Sequence, residues 1–181
     1  MARLFLGLDL PDVVDEHLSL LCGGVPGARW EPRENLHLTL RFLGELEGET
    51  QRRAIEALET VHAEPFVLEL AGVGVFPPRG EPRVLWAGVA DAGPVTELVR
   101  RIERALQRAG LPPEPRKFAA HVTLARLRDA PRERVAAFLA HHGLLRTASF
   151  EVDAFLLYSS VLGHAGAHYR VERSVALRRS G

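Results

Sequence analysis

The segment HLTLRFLGELEG, residues 37–48, begins as a β-strand that carries polar side chains at alternate positions. Side chains at i and i+2 of a strand share one face, so His37 and Thr39 point to one side and the intervening leucine to the other. The segment HVTLARLRDA, residues 121–130, repeats this arrangement from His121. Two copies of one polar pair indicate either a shared chemical face or a histidine repeated for packing.

The elements around the two motifs recur in the same order along the chain. His121 follows His37 by 121 − 37 = 84 residues, and Phe150 follows Phe66 by 150 − 66 = 84 residues. We therefore predict one domain built from two pseudo-symmetric strand-helix-strand-helix-strand units, joined by the linker PPRGEP and followed by a C-terminal strand. The domain, the two units and the last strand are predicted over residues 1–181, 1–76, 83–160 and 167–178.

Hydrophobic periodicity predicts the individual elements of both units. The predicted strands cover residues 4–9, 36–44, 66–76, 84–89, 121–127 and 150–158. The predicted helices cover residues 13–21, 49–61, 93–110 and 131–142. A loop through Pro26 and Pro32 is expected between the first helix and the first motif strand.

The composition excludes few functions, but it bears on the partners and the cellular compartment of the protein. Lys plus Arg and Asp plus Glu number 23 each, so no overall field draws the chain to nucleic acid or membrane, and an anionic ligand needs a local cluster. The single Cys22 cannot form an internal disulfide, which fits a reducing cytoplasm. The first apolar run ends at Asp9 and Pro11, too short for a secretory signal, and no stretch approaches the roughly 18 apolar residues of a membrane span.

Two facing histidines suit displacement at phosphorus, because one can take a proton from the nucleophile while the other protonates the leaving oxygen. Histidine can serve either role near neutral pH. The hydroxyls of Thr39 and Thr123 could donate hydrogen bonds to the phosphate oxygens, whose charge must be stabilised in the transition state. We predict that a pseudo-twofold axis brings His37 and His121 to one groove.

Other histidines and the cysteine give weaker signals. No HxH or HExxH motif occurs and no carboxylate adjoins either motif histidine, so we predict no metal and no cofactor. His141 and His142 are expected at a solvated helix end, and His164 and His168 in a glycine-containing turn. Cys22 has no neighbouring histidine and is not expected to be a nucleophile.

Two arginines, Arg41 and Arg126, are candidates for the residue that binds the phosphate. Strict alternation puts Arg41 on the face of His37 and Thr39, and puts Arg126 on the opposite face unless the strand bulges. Alternation therefore favours Arg41 over Arg126. The aromatic residues that could stack on a base include Phe42, Trp30, Phe118 and Tyr158, although a residue of this kind more often belongs to the core.

Two HxT motifs about 80 residues apart, HLTL and HVTL, resemble those of the two-histidine phosphoesterase superfamily. The flanking segments NLHLTLRFLGEL, PRVLWAGV, KFAAHVTLARL and LYSSVLGHAGAHYRV are similar to its bacterial and archaeal branch, the RNA 2′,3′-cyclic phosphodiesterases, historically called 2′-5′ RNA ligases. The similarity covers nearly the whole chain. It implies a bilobed α+β fold in which the sheets of the two units face a central cleft lined by both motifs.

The resemblance also implies an activity and roles for residues. The activity is metal-independent hydrolysis of RNA 2′,3′-cyclic phosphate ends to 2′-phosphates. We expect a cytoplasmic monomer whose partners are such RNA ends or small cyclic nucleotides. His37 would be the proton donor, His121 the proton acceptor, and Thr39 and Thr123 would hold the phosphate. An arginine after the second motif points to Arg126, against the alternation argument, and we follow the resemblance. The chain departs from the usual pattern at Ala120, where proline is common.

Two other functions remain compatible with the sequence. A 5′-hydroxyl in place of water would open the cyclic phosphate to a 2′-5′ bond, which is ligation by the reverse reaction. A protein that only binds nucleotides or RNA ends could keep the cleft. Intact His37 and His121 favour an enzyme, because binding alone needs no pair of proton-transfer groups.

Overall fold

The computed structural model describes residues 2–181 and has an α+β fold of four α-helices and a large antiparallel sheet. The helices are α1 (Asp12–Leu21), α2 (Gly48–Glu59), α3 (Gly93–Arg108) and α4 (Arg132–His142), and a single 3-10 turn covers Arg33–Asn35. All four were predicted, with ends within two residues of those observed. None of the helices in this part of the chain is long and apolar enough to cross a lipid bilayer.

Ten strands form the sheets of the described residues. They are β1 (Arg3–Asp9), β2 (Ala28–Trp30), β3 (His37–Gly44), β4 (Phe66–Leu68), β5 (Leu70–Phe76), β6 (Val84–Val89), β7 (Val122–Leu127), β8 (Phe150–Val152), β9 (Ala154–Gly163) and β10 (Gly166–Ala176). The large sheet has the order β10-β9-β1-β3-β7-β6-β5, with β2 also paired to β7, while β4 and β8 form a separate pair.

Strand order in the large sheet is symmetric about the border between β3 and β7. On one side of it lie β3, β1 and β9, and on the other lie β7, β6 and β5. The third strand from the border in each half comes from the other half of the sequence, because β5 pairs with β6 and β9 pairs with β1, and β10 extends the sheet beyond β9. Each half of the sheet is therefore completed by the opposite half of the chain. The boundaries 1–76 and 83–160 themselves remain predictions.

The two halves of the sheet meet at one pair of residues, Leu38 and Val122. Both side chains are fully buried. They follow His37 and His121 directly, so the junction lies beside both motif histidines. This junction turns the two predicted lobes into one continuous sheet.

One face of the sheet is covered by the helices and the other carries the polar motifs. Leu6 and Leu8 of β1 belong to the same buried core as Val95, Leu98 and Ile102 of α3. This packing fits the helical spacing of those three apolar residues along α3. The alternate positions of β1 lie on the other face, where Gly7 is opposite Thr39 and Asp9 is opposite His37.

Equivalent bulges interrupt the two motif strands. In β3, Thr39 is paired with Gly7 and Arg41 with Leu6, so Leu40 is the extra residue. In β7, Thr123 is paired with Trp86 and Ala125 with Leu85, so Leu124 is the extra residue. The two extra residues are 124 − 40 = 84 apart, the same offset as the histidines. Each bulge reverses the alternation of side chains beyond it.

Three details differ from the sequence predictions. The loop between α1 and the first motif contains β2, a three-residue strand that the flanking prolines obscured. The predicted strand at residues 66–76 is broken at Glu69, and the one that starts at residue 150 is broken at Asp153. The breaks separate β4 and β8 from the large sheet, which lets them pair with each other instead.

Candidate active site

His37 is held by hydrogen bonds at both ring nitrogens. Its Nδ1 lies 2.7 Å from the carbonyl oxygen of Asn35, and its Nε2 lies 2.7 Å from Oγ1 of Thr39. A carbonyl oxygen only accepts, so Nδ1 carries the hydrogen and donates it. In the neutral ring Nε2 is then the acceptor, with Thr39 donating, and protonation occurs at Nε2. The exchangeable proton of His37 is therefore on the nitrogen next to Thr39.

His121 is oriented in the same way from the second motif. Its Nδ1 lies 2.7 Å from the carbonyl oxygen of Ala119, two residues before it, just as Asn35 is two residues before His37. Nδ1 again donates, which leaves Nε2 to gain and lose the exchangeable proton. The sequence motif thus builds one local geometry twice, because a histidine at or just before the start of a strand can reach the carbonyl at i−2.

The junction of the sheet brings the two motifs together. Leu38 and Val122 are antiparallel partners, and continuing this register by one residue in each direction sets His37 beside Thr123 and Thr39 beside His121. The two histidines occupy diagonal corners of a four-residue cluster and the threonines the other two. The proximity has an electrostatic effect, since the charge of His121 lowers the pKa of His37.

Burial and positive charge lower the pKa of both histidines. For His37 burial is the largest cause; the bond to Asn35 opposes it, and His121 and Arg126 add to it. For His121 burial again lowers the pKa most, the bond to Ala119 opposes it, and Arg126 lowers it further. Both pKa values therefore lie below the ordinary 6.5, and the neutral form of each ring is favoured at neutral pH.

Arg126 lies on the face of the motifs because of the bulge in β7. Arg126 is paired with Val84 and Thr123 with Trp86, and Val84 and Trp86 are two apart on β6, so they share a face. The Arg126 side chain is 56% exposed, and its Nε lies 3.9 Å from a carboxylate oxygen of Glu31. It acts on the pKa of both motif histidines, as expected of a guanidinium beside the cluster.

The alternation argument for Arg41 is wrong. Arg41 is opposite Leu6 on the covered face of the sheet, because the bulge at Leu40 reversed the alternation. Its buried guanidinium forms an ion pair with Glu103 of α3 and donates to the carbonyl oxygens of Phe42 and Pro112, the latter at 2.6 Å. Arg41 therefore links β3 to α3 and to the loop before the second motif.

Comparisons with known proteins identify the family. The pattern of the LigT-like phosphoesterases matches residues 8–86 and 89–169 of this chain. The chain belongs to the LigT-like phosphoesterase family.

Relatives of this LigT-like phosphoesterase resemble it over nearly their full length. The RNA 2′,3′-cyclic phosphodiesterase of Archaeoglobus fulgidus is 34% identical over 93% of this chain and 96% of its own. That of Aeropyrum pernix is 36% identical over 87% of this chain and 90% of its own.

Solved structures of the family have the same fold. A Thermus thermophilus protein superposes with a TM-score of 0.81, at 28% identity, over 97% of this chain and 98% of its own. Escherichia coli LigT in complex with 3′-AMP superposes with a TM-score of 0.77, at 25% identity, over 98% of this chain and 99% of its own. These matches confirm the predicted family and fold class.

Aromatic rings flank each histidine of the LigT-like site. The His37 ring has centroid distances of 4.9 Å to Phe5, 5.9 Å to Tyr158 and 5.3 Å to Tyr169. The His121 ring lies 4.9 Å from Phe76 and 6.5 Å from Trp86. These rings exclude water from the sides of the imidazoles and explain the strong effect of burial on their pKa values.

The aromatic residues chosen from the sequence have different locations. Phe42 is on the motif face, since it pairs with Phe5, and its side chain is exposed; Tyr158 is buried beside His37. Trp30 packs against Phe138 of α4, and Phe118 packs against the buried core. These contacts do not fit a surface on which a base could stack. Phe42 and Arg126 are equivalent positions of the repeat. A sequence pattern that allowed for the bulges would have placed both of them on the motif face.

Sequence reasoning missed Tyr169, whose ring packs against that of His37, and Glu31, which lies 3.9 Å from Arg126. Tyr169 lies on β10, whose approach to the first motif depends on the tertiary fold. Glu31 follows β2, the strand that was not predicted, and its backbone N–H donates to Leu124 at 2.8 Å. Burial raises the pKa of Glu31, and Arg126 and then Arg29 oppose this shift.

The remaining candidates contribute nothing to this site. Burial raises the pKa of Cys22 to about 11, so its thiol is a poor nucleophile at neutral pH. His141 and His142 occupy the last turn of α4, as predicted. Within residues 2–181, no group of three or more histidine, cysteine or acidic side chains is arranged to hold a metal ion.

Proposed function

We propose that this chain hydrolyses RNA 2′,3′-cyclic phosphate ends, or small cyclic nucleotides with the same group, to 2′-phosphomonoesters. The observation that carries the proposal is the pair of equally oriented histidines on diagonal corners of one antiparallel junction, each with Nε2 as its exchanging nitrogen. The substrate class is taken from the relatives, since those of Archaeoglobus fulgidus and Aeropyrum pernix are named RNA 2′,3′-cyclic phosphodiesterases.

The two histidines would act on opposite sides of the phosphorus. Nε2 of His121 takes a proton from water as the oxygen of that water bonds to phosphorus. The bond from phosphorus to the 3′-oxygen breaks, and Nε2 of His37 gives its proton to that oxygen. The product keeps its phosphate on the 2′-oxygen, and the two rings have exchanged protonation states.

Thr39, Thr123 and Arg126 would stabilise the charge on the non-bridging oxygens. The threonines flank the histidines on the same face, and the guanidinium of Arg126 is largely exposed there. Arg126 has a planar fork of donors suited to two oxygens of one phosphate. Donors fixed before the reaction stabilise the transition state without reorganisation, which is why three such groups beside two histidines favour phosphoryl chemistry.

The phosphate itself would bring His37 to its protonated state. In the free protein its pKa is lowered, so the proton donor is scarce at neutral pH. A bound monoanion between the rings offsets the positive charges of Arg126 and of the other imidazole and raises the pKa of His37. Substrate binding and activation of the acid are thereby coupled.

We further propose that the enzyme needs no metal ion and acts as a cytoplasmic monomer. Proton transfer and charge stabilisation are both assigned to side chains, so a metal has no required role. Both motifs come from a single chain and meet at Leu38 and Val122 inside it. A second copy is not needed to complete the site. The lone Cys22 fits a reducing compartment.

The test is hydrolysis of a dinucleotide that ends in a 2′,3′-cyclic phosphate, in the presence of EDTA, with separation of the 2′- and 3′-phosphate products. We expect the 2′-phosphate alone, at a rate that EDTA does not change. His37→Ala and His121→Ala should abolish most turnover, while the control His141→Ala, at the exposed end of α4, should retain it. Formation of the 3′-phosphate, or loss of activity that zinc or manganese restores, would contradict the mechanism.

A further inference from the structure

We propose that the hydroxyl of Tyr169 is a further substrate-binding group, which donates a hydrogen bond to a non-bridging oxygen of the phosphate held at Arg126. This inference rests on the proposed function for the nature of the ligand, a phosphodiester between the two histidines. It adds a residue from β10, an element outside both motifs.

Tyr169 reaches the site because the sheet curls at its edge. β10 is three strands away from β3, and neighbouring strands are about 4.8 Å apart, so a flat sheet would separate the two by roughly 14 Å. The Tyr169 ring centroid is nevertheless 5.3 Å from that of His37, with the rings perpendicular at 88°. Its ring also packs edge-on against Phe5, at 5.0 Å. The aromatic ring therefore lies over the first motif.

A buried side chain ties β10 to the segment that holds His37. Nδ2 of Asn35 donates to the carbonyl oxygen of Ala167 at 2.9 Å, and the carbonyl oxygen of Asn35 accepts from His37. Asn35 is 8% exposed, so this link is shielded from water. Because Ala167 is two residues before Tyr169 on the same strand, the position of Tyr169 relative to His37 is fixed by a short chain of bonds.

The hydroxyls of the two tyrosines near His37 have different neighbours. Burial raises the pKa of Tyr169 first, and the charges that then act on it are those of Glu31 and Arg126. Burial also raises the pKa of Tyr158, and the charge that acts on it is that of Asp9. Both hydroxyls are therefore protonated at neutral pH, and of the two only that of Tyr169 shares a charged neighbour with the motif histidines, since Arg126 acts on His37, His121 and Tyr169.

A phosphate between the two histidines would lie beside Tyr169, whose ring is 5.3 Å from that of His37. Glu31 lies 3.9 Å from Arg126, and its charge also acts on Tyr169. An anion bound to Arg126 takes the place of that carboxylate as the nearest acceptor. A neutral phenol is a suitable donor, because it binds an anion without adding charge that would lower the pKa of His37 further.

The test compares Tyr169→Phe with the matched control Tyr158→Phe, since both changes remove one hydroxyl from a ring that contacts His37. We expect Tyr169→Phe to lower kcat/KM for the cyclic dinucleotide about 10- to 100-fold, the scale of one hydrogen bond to a charged group. It should also weaken binding of 2′-AMP, the product analogue, measured by calorimetry. Tyr158→Phe should lower both quantities less than Tyr169→Phe does.

Phosphorothioate diastereomers of the substrate distinguish direct contact from a structural effect. Sulfur accepts hydrogen bonds poorly, so the penalty of Tyr169→Phe should shrink for the one diastereomer that carries sulfur at the contacted oxygen. An equal penalty for both diastereomers, or a Tyr169→Phe enzyme as active as Tyr158→Phe, would overturn the inference. In either case the wild-type enzyme would still release the 2′-phosphate, so the proposed function would stand. Failure of wild-type hydrolysis with intact, Tyr169-dependent binding of 2′-AMP would instead reject only the function.

Discussion

Leu38 lies directly opposite Val122, and this pair joins the two halves of the large sheet. Each of the two residues follows a motif histidine in sequence, so one backbone pairing positions both His37 and His121. Each histidine is bonded through Nδ1 to the carbonyl two residues before it.

The first prediction ranks the motif residues. His37→Ala and His121→Ala should each lower kcat by about 10²-fold or more, the scale of a positioned acid or base, with no loss of fold. Thr39→Ala and Thr123→Ala should be milder, because each removes one hydrogen bond and leaves both proton paths. Steady-state kinetics together with circular dichroism checks the ranking. A threonine variant as damaged as its histidine variant would show that the ranking is wrong.

The second prediction concerns the pH dependence of kcat/KM, which reports the free enzyme. Activity requires neutral His121 and protonated His37, so it rises through the pKa of His121 and falls through that of His37. Both pKa values are lowered from 6.5, so the maximum should lie below pH 6.5. The kcat profile should be displaced to higher pH, because the bound phosphate raises both values. A kcat/KM maximum on the alkaline side of neutrality would contradict this assignment.

The third prediction tests the electrostatic role of Arg126. Arg126 lowers the pKa of both motif histidines, so Arg126→Gln should raise the pKa of each. Both limbs of the kcat/KM profile should then shift to higher pH. Titration of the histidine ring signals by NMR measures this without substrate. Arg29→Gln is the matched control, since Arg29 is the direct cross-strand neighbour of Arg126 but does not act on either histidine. Unchanged pKa values in Arg126→Gln would place its guanidinium away from the cluster.

The fourth prediction separates the acid from the base. A substrate with an activated aryl leaving group needs no protonation of the leaving oxygen. It should largely restore turnover of His37→Ala and leave His121→Ala inactive. Restoration of His121→Ala instead would reverse the two roles. If neither variant is restored, a simple division into one acid and one base fails.

The fifth prediction concerns stability and uses the corrected position of Arg41. The Arg41 side chain is 8% exposed and bonds to Glu103 and two backbone carbonyls, so Arg41→Ala leaves a carboxylate and two acceptors without their partner. The free energy of unfolding should fall by about 3 kcal/mol or more. Arg52→Ala, in which the lost ion pairs are on the surface at 59% exposure, should change it by about 1 kcal/mol or less. Urea unfolding curves measure both. Equal effects of the two changes would mean that the buried network contributes no more than a surface pair.

Much of the fold could be predicted because its signals are local. Alternation along a strand and helical spacing along α3 follow from backbone geometry within a few residues, and the 84-residue offset needs only the chain itself. The two HxT motifs likewise placed each histidine and threonine on one face. The site pairs His37 with Thr39 and His121 with Thr123 were therefore accessible from sequence.

Only the tertiary structure decided how the motifs meet and what lies around them. Whether a strand bulges depends on its partner, and the partners of β3 and β7 are set by packing between distant segments, so alternation assigned Arg41 and Arg126 to the wrong faces. β5 and β9 each pair with strands from the opposite half of the chain, and the curl of the sheet brings Tyr169 to His37. Both features join residues that are far apart in sequence. The local pattern determined which side chains could do chemistry. Burial of the sheet against the helices determined which of them share a site, because contacts between distant segments depend on the whole packed core.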